Sequence, residues 1–283
     1  MSFVIDSSAI HAVFAKPQPD GVFDRPVLDY LREIGSRRKI VLLAFAPKAA
    51  GTYLRQAAIY AIGGQLIRTS HAQGGRDSTF YLPNVLTCYL DDDAPEPVTH
   101  VHMQALPANR HFIEAFGMKP IIMIRNIPDM LASFWDMLES DPVARADGLN
   151  CQIPFDFTEI SHEKKGDFLI DIIAPWYASY FATWKTFVDE AGEVVRVLRY
   201  DEFAADPVGV LQIALLHTGH PTSLNECKAA LARAWHERDG LRFNKGRSGR
   251  GKDYFSLGQL ERLSRMLSCY PQLGLWRDDL VAA

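Results

Sequence analysis

IVLLAFAPKAAGTYLR, residues 40–55, is the stretch that decides the fold of this chain. Its apolar first part, residues 40–46, is typical of a buried strand. The strand stops at Pro47, after which Lys48 and three small residues lead into a helix near Thr52. Free N–H groups at a helix start favour an anion, small residues let a ligand approach the backbone, and a lysine adds positive charge. The stretch predicts either a strand–loop–helix turn that binds an anion, such as a nucleotide, or an ordinary turn with an exposed lysine.

The order of residues in this loop differs from two common nucleotide-binding patterns. A Walker A loop, GxxxxGK[ST], places its lysine after the glycine-rich turn and next to a Mg²⁺ site. Here Lys48 precedes the turn and no GK[ST] sequence occurs. The GxGxxG pattern of dinucleotide-binding proteins does not follow the strand either. We therefore expect neither a Walker-type ATP site nor a metal ion.

Composition excludes several function classes. The chain has 283 residues, of which 48% are hydrophobic, and a net charge of −4 that argues against general nucleic-acid binding. The four cysteines are far apart and form no CxxC pair, which argues against a zinc site or a disulfide framework. The first residues lack the pattern of a signal peptide, and no apolar run of about 18 residues predicts a membrane span. We expect a cytoplasmic protein.

Apolar strands alternate with helices along the chain. Strands are predicted at residues 39–46, 98–102, 120–124 and 194–199. Helices are predicted at residues 26–35, 52–62, 108–117, 128–138, 167–190, 207–218 and 222–236, with a last one from Ser256 that starts in a capping box with Gln259. This alternation predicts a parallel sheet with helices on both faces, whose ligands lie beyond the carboxyl ends of the strands.

Two irregular segments, residues 70–97 and 140–165, are predicted to cover the active face, and residues 1–25 to form an N-terminal arm. The helix at 167–190 is rich in aromatic residues. Its aromatics could line an apolar acceptor pocket, although such spacing is more often that of a core helix.

Two further segments carry groups that bind anions. In KPIIMIRNIPDMLASFW (119–135), Arg125 lies where an apolar strand stops and Ser133 lies in the next helix. They could bind a phosphate, or Arg125 could simply pair with Asp129. In FNKGRSGRGKDYFS (243–256), four cations lie among three glycines. This loop could wrap an anionic ligand or be a solvated loop.

A pair of histidines occurs at a third strand end, in VTHVHM (98–103). His100 and His102 are two residues apart on a strand and so face the same side. Nothing in the sequence indicates a third metal ligand near them. A histidine at this strand end suits a general base, and the other histidine is then structural.

Together these segments resemble the family of sulfotransferases that use 3′-phosphoadenosine 5′-phosphosulfate (PAPS). PKAAGTYLR (47–55) is similar to that family's 5′-phosphosulfate loop, PKSG[NT]TW, and RNIPDMLAS (125–133) to its 3′-phosphate motif, RNPxDxxxS. NKGRSGRGKDYFS (244–256) is similar to its late loop, RKGxxGDWKxxFT. RYDEF (199–203) resembles the strand-end Tyr-Glu-Asp segment that borders the adenine.

The resemblance implies an α/β three-layer sandwich of the P-loop nucleotide hydrolase-like type, with a central, mostly parallel sheet and helices on both faces. It implies a single domain over residues 1–283, with its core at about 38–270. PAPS would be the co-substrate and its desulfated form, PAP, the product, with no metal. The acceptor would be a small molecule or a glycan. The sequence does not determine the oligomeric state and allows a homodimer.

Carried over by position, the family motifs also imply site residues. Lys48 would contact the 5′-phosphosulfate and its bridging oxygen, Tyr53 and Tyr200 would flank the adenine, and Arg125 and Ser133 would hold the 3′-phosphate. The implied nucleotide-binding residues are Lys48, Ala49, Ala50, Gly51, Thr52, Tyr53, Arg125, Ser133, Tyr200, Lys245, Gly246 and Arg247.

The resemblance further implies in-line transfer of the sulfuryl group to an acceptor hydroxyl or amine. A histidine would take the acceptor's proton, and Lys48 would neutralise charge on the leaving phosphate. Both His100 and His102 fit the position of the family's base, and we favour His102. Two departures stand out: Ala50 replaces a glycine, and Asn244 replaces a phosphate-binding arginine, for which Arg247 or Arg250 could compensate.

Two other functions fit parts of the sequence. A P-loop-type nucleotide kinase would share the architecture, but the position of Lys48 argues against ATP–Mg²⁺. A non-catalytic module that binds a 3′-phosphonucleotide is compatible with the Asn244 departure.

Overall fold

The protein is built around one parallel sheet. The computed structural model describes residues 25–70, 77–91, 93–147, 153–154, 156–237 and 248–281. In these residues the strands are β1 (Val41–Leu43), β2 (Gln65–Leu66), β3 (Pro97–His100), β4 (Ile121–Ile124) and β5 (Arg196–Arg199). They are hydrogen-bonded in the order β2-β3-β1-β4-β5, and each neighbouring pair is parallel. The predicted α/β fold with a parallel sheet is confirmed.

Helices surround this sheet. The described helices are α1 (Arg25–Arg37), α2 (Gly51–Ile62), α3 (Leu82–Thr87), α4 (Pro107–Ala115), α5 (Ile127–Ser140), α6 (Pro142–Asp147), α7 (His162–Phe168), α8 (Ala174–Ala191), α9 (Tyr200–Ala205), α10 (Pro207–His217), α11 (Leu224–His236), α12 (Gly251–Tyr254), α13 (Leu257–Ser268) and α14 (Trp276–Val281). A π-helical turn, Leu169–Ile173, joins α7 to α8, and Gly192–Val194 and Pro271–Leu273 are short 3₁₀ helices.

The strand order places β1 in the middle of the sheet. Its residues are almost completely buried, because β3 and β4 flank it and helices cover it. The register pairs Leu43 with His100 on one side and with Ile121 on the other. The chain that leaves β1 therefore emerges between the carboxyl ends of two other strands, the position in which open parallel sheets bind ligands.

Several elements differ from the sequence-based expectation. The segment at residues 70–97, predicted to be irregular, contains α3, with Pro83 in its first turn. Proline is tolerated in the first turn of a helix, because the N–H group there has no partner within the helix. β2 is only two residues long, too short for a periodic pattern to reveal it.

The predicted helix at 167–190 is longer and interrupted. Pro175 lies in the first turn of α8 and cannot donate a hydrogen bond, so the helical ladder shifts by one residue in the π-helical turn that precedes it. The predicted capping box of the late helix is confirmed: Ser256 Oγ accepts from Gln259 N at 3.3 Å, and Gln259 Oε1 accepts from Ser256 N at 2.9 Å.

Residues 1–24, which contain most of the expected arm, lie outside the described residues. In the described ranges, no helix combines the length and the apolar character needed to cross the hydrocarbon core of a membrane.

Candidate functional site

The loop after β1 adopts a conformation that is unusual for its residues. Lys48 and Ala50 have φ angles of 66° and 62°, in the left-handed region, although neither is a glycine. This conformation costs about 1–2 kcal/mol for each such residue. Contacts from neighbouring elements must therefore hold the loop, and backbone strain of this kind is typical of functional sites.

Two side chains from other elements hold the loop by its carbonyl groups. Arg125 Nη1 donates to the Lys48 carbonyl at 2.7 Å, and the buried Tyr177 hydroxyl donates to the Pro47 carbonyl at 3.2 Å. Within the turn, Ala49 N donates to the Ala46 carbonyl at 3.3 Å. The backbone amide of Ala49, one of the predicted ligand contacts, is thus engaged inside the loop.

The start of α2 has no side-chain cap. Its N-cap residue is Ala50, which carries no acceptor group. By contrast, α5 is capped by Asn126, whose side-chain oxygen accepts from Asp129 N at 2.8 Å. The first amides of a helix lack acceptors within the helix, so those of Gly51 and Thr52 have none inside α2. The arrangement suits an anion at this helix end.

Arg125 and Tyr200 come together because β4 and β5 are in register. Ile124 pairs with Arg199, so the residues that follow are neighbours, and the Arg125 guanidinium lies 3.8 Å from the centre of the Tyr200 ring. Burial lowers the pKa of Arg125. A cavity of about 120 Å³ opens beside these two residues at the carboxyl ends of β4 and β5. Ser133 is buried in the following helix, α5.

His102 lies between the end of β1 and the loop. Its Nδ1 is 2.8 Å from the Phe45 carbonyl. A carbonyl can only accept, so Nδ1 carries the proton and Nε2 keeps its lone pair. The pKa of His102 is lowered to about 4: burial is the largest cause and the charge of Lys48 adds to it, while the hydrogen bond to Phe45 opposes the shift. The ring is therefore a neutral imidazole whose Nε2 is unprotonated.

His100 occupies a different environment. Its ring lies 4.8 Å from that of His102, and its Nε2 is buried without a hydrogen-bond partner among the described residues. A Cβ atom placed on Gly51 would come within 2.2 Å of this nitrogen. The imidazole thus occupies the space that a side chain at position 51 would need. Burial, then the charges of His102 and Arg55, lower the pKa of His100 well below its usual value.

The late loop is fixed by the carboxylate of Asp129. The backbone amides of Gly249, Arg250 and Gly251 donate to it at 2.8, 2.7 and 2.9 Å. Ser248 Oγ donates to Asp201 Oδ1 at 2.5 Å. This end of the loop is therefore anchored next to α5 and the end of β5.

Arg250, a candidate to compensate for Asn244, is engaged with neighbouring side chains. Its guanidinium pairs with Asp136 at 2.6 Å and donates to the Tyr254 hydroxyl at 2.8 Å. Its contact with a phosphate stays a prediction. Lys245, Gly246 and Arg247, together with Asn244, lie outside the described residues, so their roles stay predictions.

Tyr53 packs against Phe203, which also lies near Tyr200. Its hydroxyl donates to the Leu231 carbonyl at 3.1 Å, and its ring makes edge contacts with Phe203 and Trp235 at 6.2 and 6.4 Å. Tyr200 in turn lies 6.5 Å from Phe203. The proposed adenine position between the two tyrosines stays a prediction.

The aromatic residues of α8 form core. Most of them are buried, and their polar atoms bond backbone groups near the site. The Tyr180 hydroxyl donates to the Ala44 carbonyl, and Trp184 Nε1 donates to the Met103 carbonyl at 2.9 Å. Together with Tyr177, these side chains set the positions of the loop and the histidine segment. The helix is thus a core helix, the second of the two interpretations that its sequence allows.

Comparison with solved structures shows which fold surrounds this site. The mouse sulfotransferase SULT7A1, complexed with PAP, matches with a TM-score of 0.59 at 16% identity, over 88% of this chain and 92% of that one. This chain has the sulfotransferase fold. A retinol dehydratase in complex with androsterone and the inactive cofactor PAP matches with a TM-score of 0.50 at 12% identity, over 95% of this chain and 93% of that one. No protein-family model and no curated protein sequence matches.

Within this sulfotransferase fold, the sequence did not reveal the contacts of three side chains. Asp129, considered only as a partner of Arg125, and Asp201 anchor the late loop. Arg55 lies one turn after Gly51 on α2. A carboxylate close in sequence to a predicted phosphate ligand could have signalled a backbone anchor. For Arg55 no signal in the sequence separates it from a solvated surface arginine.

Proposed function

We propose that this protein is a PAPS-dependent sulfotransferase, which moves the sulfuryl group of PAPS to a hydroxyl or amine of an acceptor. The observation that carries the proposal is the uncapped start of α2 behind the strained Lys48 loop, with the neutral His102 beside it. The shared fold with two proteins described in complex with PAP supports it.

The nucleotide is proposed to bind across the carboxyl ends of β1, β4 and β5. The amides of Gly51 and Thr52 and the side chain of Lys48 would hold the 5′-phosphosulfate. Arg125 would hold the 3′-phosphate together with Ser133. The bond from Arg125 to the Lys48 carbonyl supports this division, because it ties the two halves of the nucleotide site together. Contacts to these two separate anionic groups then fix PAPS for in-line attack on its sulfur.

His102 is the proposed general base. Its bond to Phe45 places the proton on Nδ1 and leaves the Nε2 lone pair for the acceptor's proton. Its lowered pKa keeps it unprotonated in the ligand-free protein at neutral pH. Lys48 would neutralise charge that develops on the leaving phosphate, so that binding geometry and electrostatics supply most of the rate enhancement.

The acceptor is proposed to be a small molecule or a glycan. The retinol dehydratase structure is a complex with androsterone, which supports a small-molecule acceptor. The acceptor would approach from the side of His102, where the chain around residues 77–91 borders the histidine segment: Ser78 N donates to the His102 carbonyl at 3.2 Å.

The test is sulfuryl transfer itself. The purified protein is incubated with PAPS and a panel of alcohols, phenols, glycans and amines, and mass spectrometry detects acceptors that gain one SO₃ group. Lys48→Ala and His102→Gln should each reduce turnover by about 10²-fold or more. Arg233→Gln, which alters an exposed arginine on α11, serves as the matched control and should leave turnover unchanged. Near wild-type turnover in either site variant would rule out its assigned role.

A further inference from the structure

The histidine segment, residues 101–105, lies beyond the end of its strand. β3 ends at His100, and Val101 N still donates to the Leu43 carbonyl of β1 at 3.0 Å. His102 and the residues that follow it in this segment belong to no helix or strand. Groups from other elements must therefore fix their backbone, because a strand's ladder of hydrogen bonds does not continue here.

Two consecutive residues hold this segment from one side. Ser78 N donates to the His102 carbonyl at 3.2 Å. The carboxylate of Asp77 accepts at Oδ1 from Gln104 Nε2 at 2.9 Å and from Trp176 Nε1 at 2.7 Å. Gln104 belongs to the histidine segment and Trp176 to α8. A single carboxylate oxygen therefore joins the segment to the core helix.

These contacts also fix the side chain of Gln104. The carboxylate of Asp77 can only accept, so the NH₂ group of Gln104 faces it. At the other end of the amide, the Ser179 hydroxyl donates to Gln104 Oε1 at 2.6 Å. Trp176 and Ser179 are three residues apart in α8 and lie on one helix face. The Gln104 amide thus bridges Asp77 and this face of α8.

The backbone of Asp77 is unusual as well. Its φ is 59°, in the left-handed region, which aspartate and asparagine enter more readily than most other non-glycine residues. Asp77 is exposed, whereas the two side chains that donate to it are buried. An exposed residue gains little from packing, so its hydrogen bonds must hold this conformation. Local strain of this kind is typical of functional sites.

We propose that Asp77 is a positioning residue for His102. Its carboxylate fixes Gln104, two residues after the histidine, and the next residue, Ser78, bonds the histidine's own carbonyl. The imidazole is bonded separately, from Nδ1 to Phe45, so Nε2 keeps its direction only while the backbone at His102 stays in place. The inference rests on the proposed function, in which Nε2 takes the acceptor's proton.

Two substitutions at Asp77 separate its side chain from its backbone. Asp77→Gly keeps access to the left-handed conformation and removes both hydrogen bonds. Asp77→Asn also tolerates this conformation and keeps an oxygen for Gln104 and Trp176, so it is the conservative rescue. Ser223→Ala is the control, because it removes the side-chain cap of α11 and so destabilises a helix without altering the histidine segment.

Steady-state kinetics gives the first measurement. In Asp77→Gly, kcat should fall by about tenfold or more, because a misplaced base loses its alignment with the acceptor. Calorimetry should show that PAP binds to this variant as tightly as to wild type, since the nucleotide contacts are unchanged. Asp77→Asn and Ser223→Ala should keep a kcat close to that of wild type.

An NMR titration of His102 gives the second measurement, which does not depend on turnover. Its pKa of about 4 should rise in Asp77→Gly toward the value of about 6.5 of an exposed histidine, because a loosened segment admits water to the ring. Loss of the negative charge of Asp77 alone would lower this pKa, so a rise reports on water access. Asp77→Asn should not show the rise.

An unchanged kcat together with an unchanged His102 pKa in Asp77→Gly would overturn the proposal. A rise in acceptor KM alone would also overturn it, because Asp77 would then bind the acceptor. Equal losses in Asp77→Asn and Asp77→Gly would contradict the role of the hydrogen bonds.

Failure of the proposed function looks different, because wild type itself would then form no sulfated product, and the His102 titration would still test the positioning. If Asp77→Gly does not fold, Gln104→Met replaces it. This substitution removes the NH₂ group that donates to Asp77 without a change in charge, so the same fall in kcat and the same rise in the pKa of His102 are expected.

Discussion

Replacing Asp129 with asparagine should release the late loop from the nucleotide site. The carboxylate is completely buried. Its Oδ1 accepts from the amides of Arg250 and Gly251, and its Oδ2 accepts from the amide of Gly249 and from the side-chain nitrogen of Asn126. Each carboxylate oxygen therefore accepts two hydrogen bonds, and both oxygens hold the loop.

The magnitude follows from this geometry. An asparagine can keep its oxygen in only one of the two positions, and its NH₂ group then faces two donors. Two hydrogen bonds to a charged acceptor are lost, at about 1.5–3 kcal/mol each, or about 3–6 kcal/mol in all. Part of this cost disappears if the loop opens locally, so the largest effect should be on the loop and not on global stability.

Hydrogen exchange is the appropriate assay. In Asp129→Asn, the amides of residues 249–251 should exchange at least about 10²-fold faster than in wild type, since 1.4 kcal/mol corresponds to a factor of ten. PAP affinity should fall as well, because the preceding residues of the loop are predicted phosphate ligands. Asp201→Asn is the control: Asp201 accepts a single hydroxyl bond, so its loss should be smaller. Unchanged exchange at 249–251 together with unchanged PAP affinity would show that the Asp129 carboxylate does not hold the loop.

Three further predictions concern the loop and the histidines. Gly51→Ala forces His100 to move, because the new Cβ would lie 2.2 Å from its Nε2; we expect turnover to fall by at least about tenfold and a thermal melt to show about 1–3 kcal/mol of destabilisation. Tyr177→Phe removes the hydroxyl bond to the Pro47 carbonyl but keeps the ring, and urea denaturation should show a loss of about 1 kcal/mol. An NMR titration of the ligand-free protein should give His102 a pKa of about 4; since the unfolded value is about 6.5, the unfolded state binds the proton first, and stability should fall as the pH drops from about 6.5 toward 4.

Local patterns were sufficient to predict the architecture. The apolar run before Lys48 and the alternation of strands and helices predict a parallel sheet. The apolar run itself contains β1, the central strand of that sheet. The capping box at Ser256 was predicted because its two partners are three residues apart. Such features depend on residues that are close in sequence, so a sequence pattern can reveal them.

The unpredicted features depend on residues that are far apart in sequence. The Asp129 carboxylate bonds amides more than a hundred residues later, and the Arg250 guanidinium finds Asp136 across a similar distance. The proton position of His102 depends on a carbonyl of another strand end. Propensity and spacing carry no information on these contacts, because tertiary packing sets them.

Nucleotide preference is the decisive measurement, made by calorimetry on the wild-type protein with PAP, 5′-AMP and ATP–Mg²⁺. PAP should bind about tenfold to 10²-fold more tightly than 5′-AMP, because a charged hydrogen bond from Arg125 to the 3′-phosphate is worth about 1.5–3 kcal/mol, and Arg125→Gln should remove this difference. Equal affinity for PAP and 5′-AMP, or tighter binding of ATP–Mg²⁺, would contradict the proposed PAPS site.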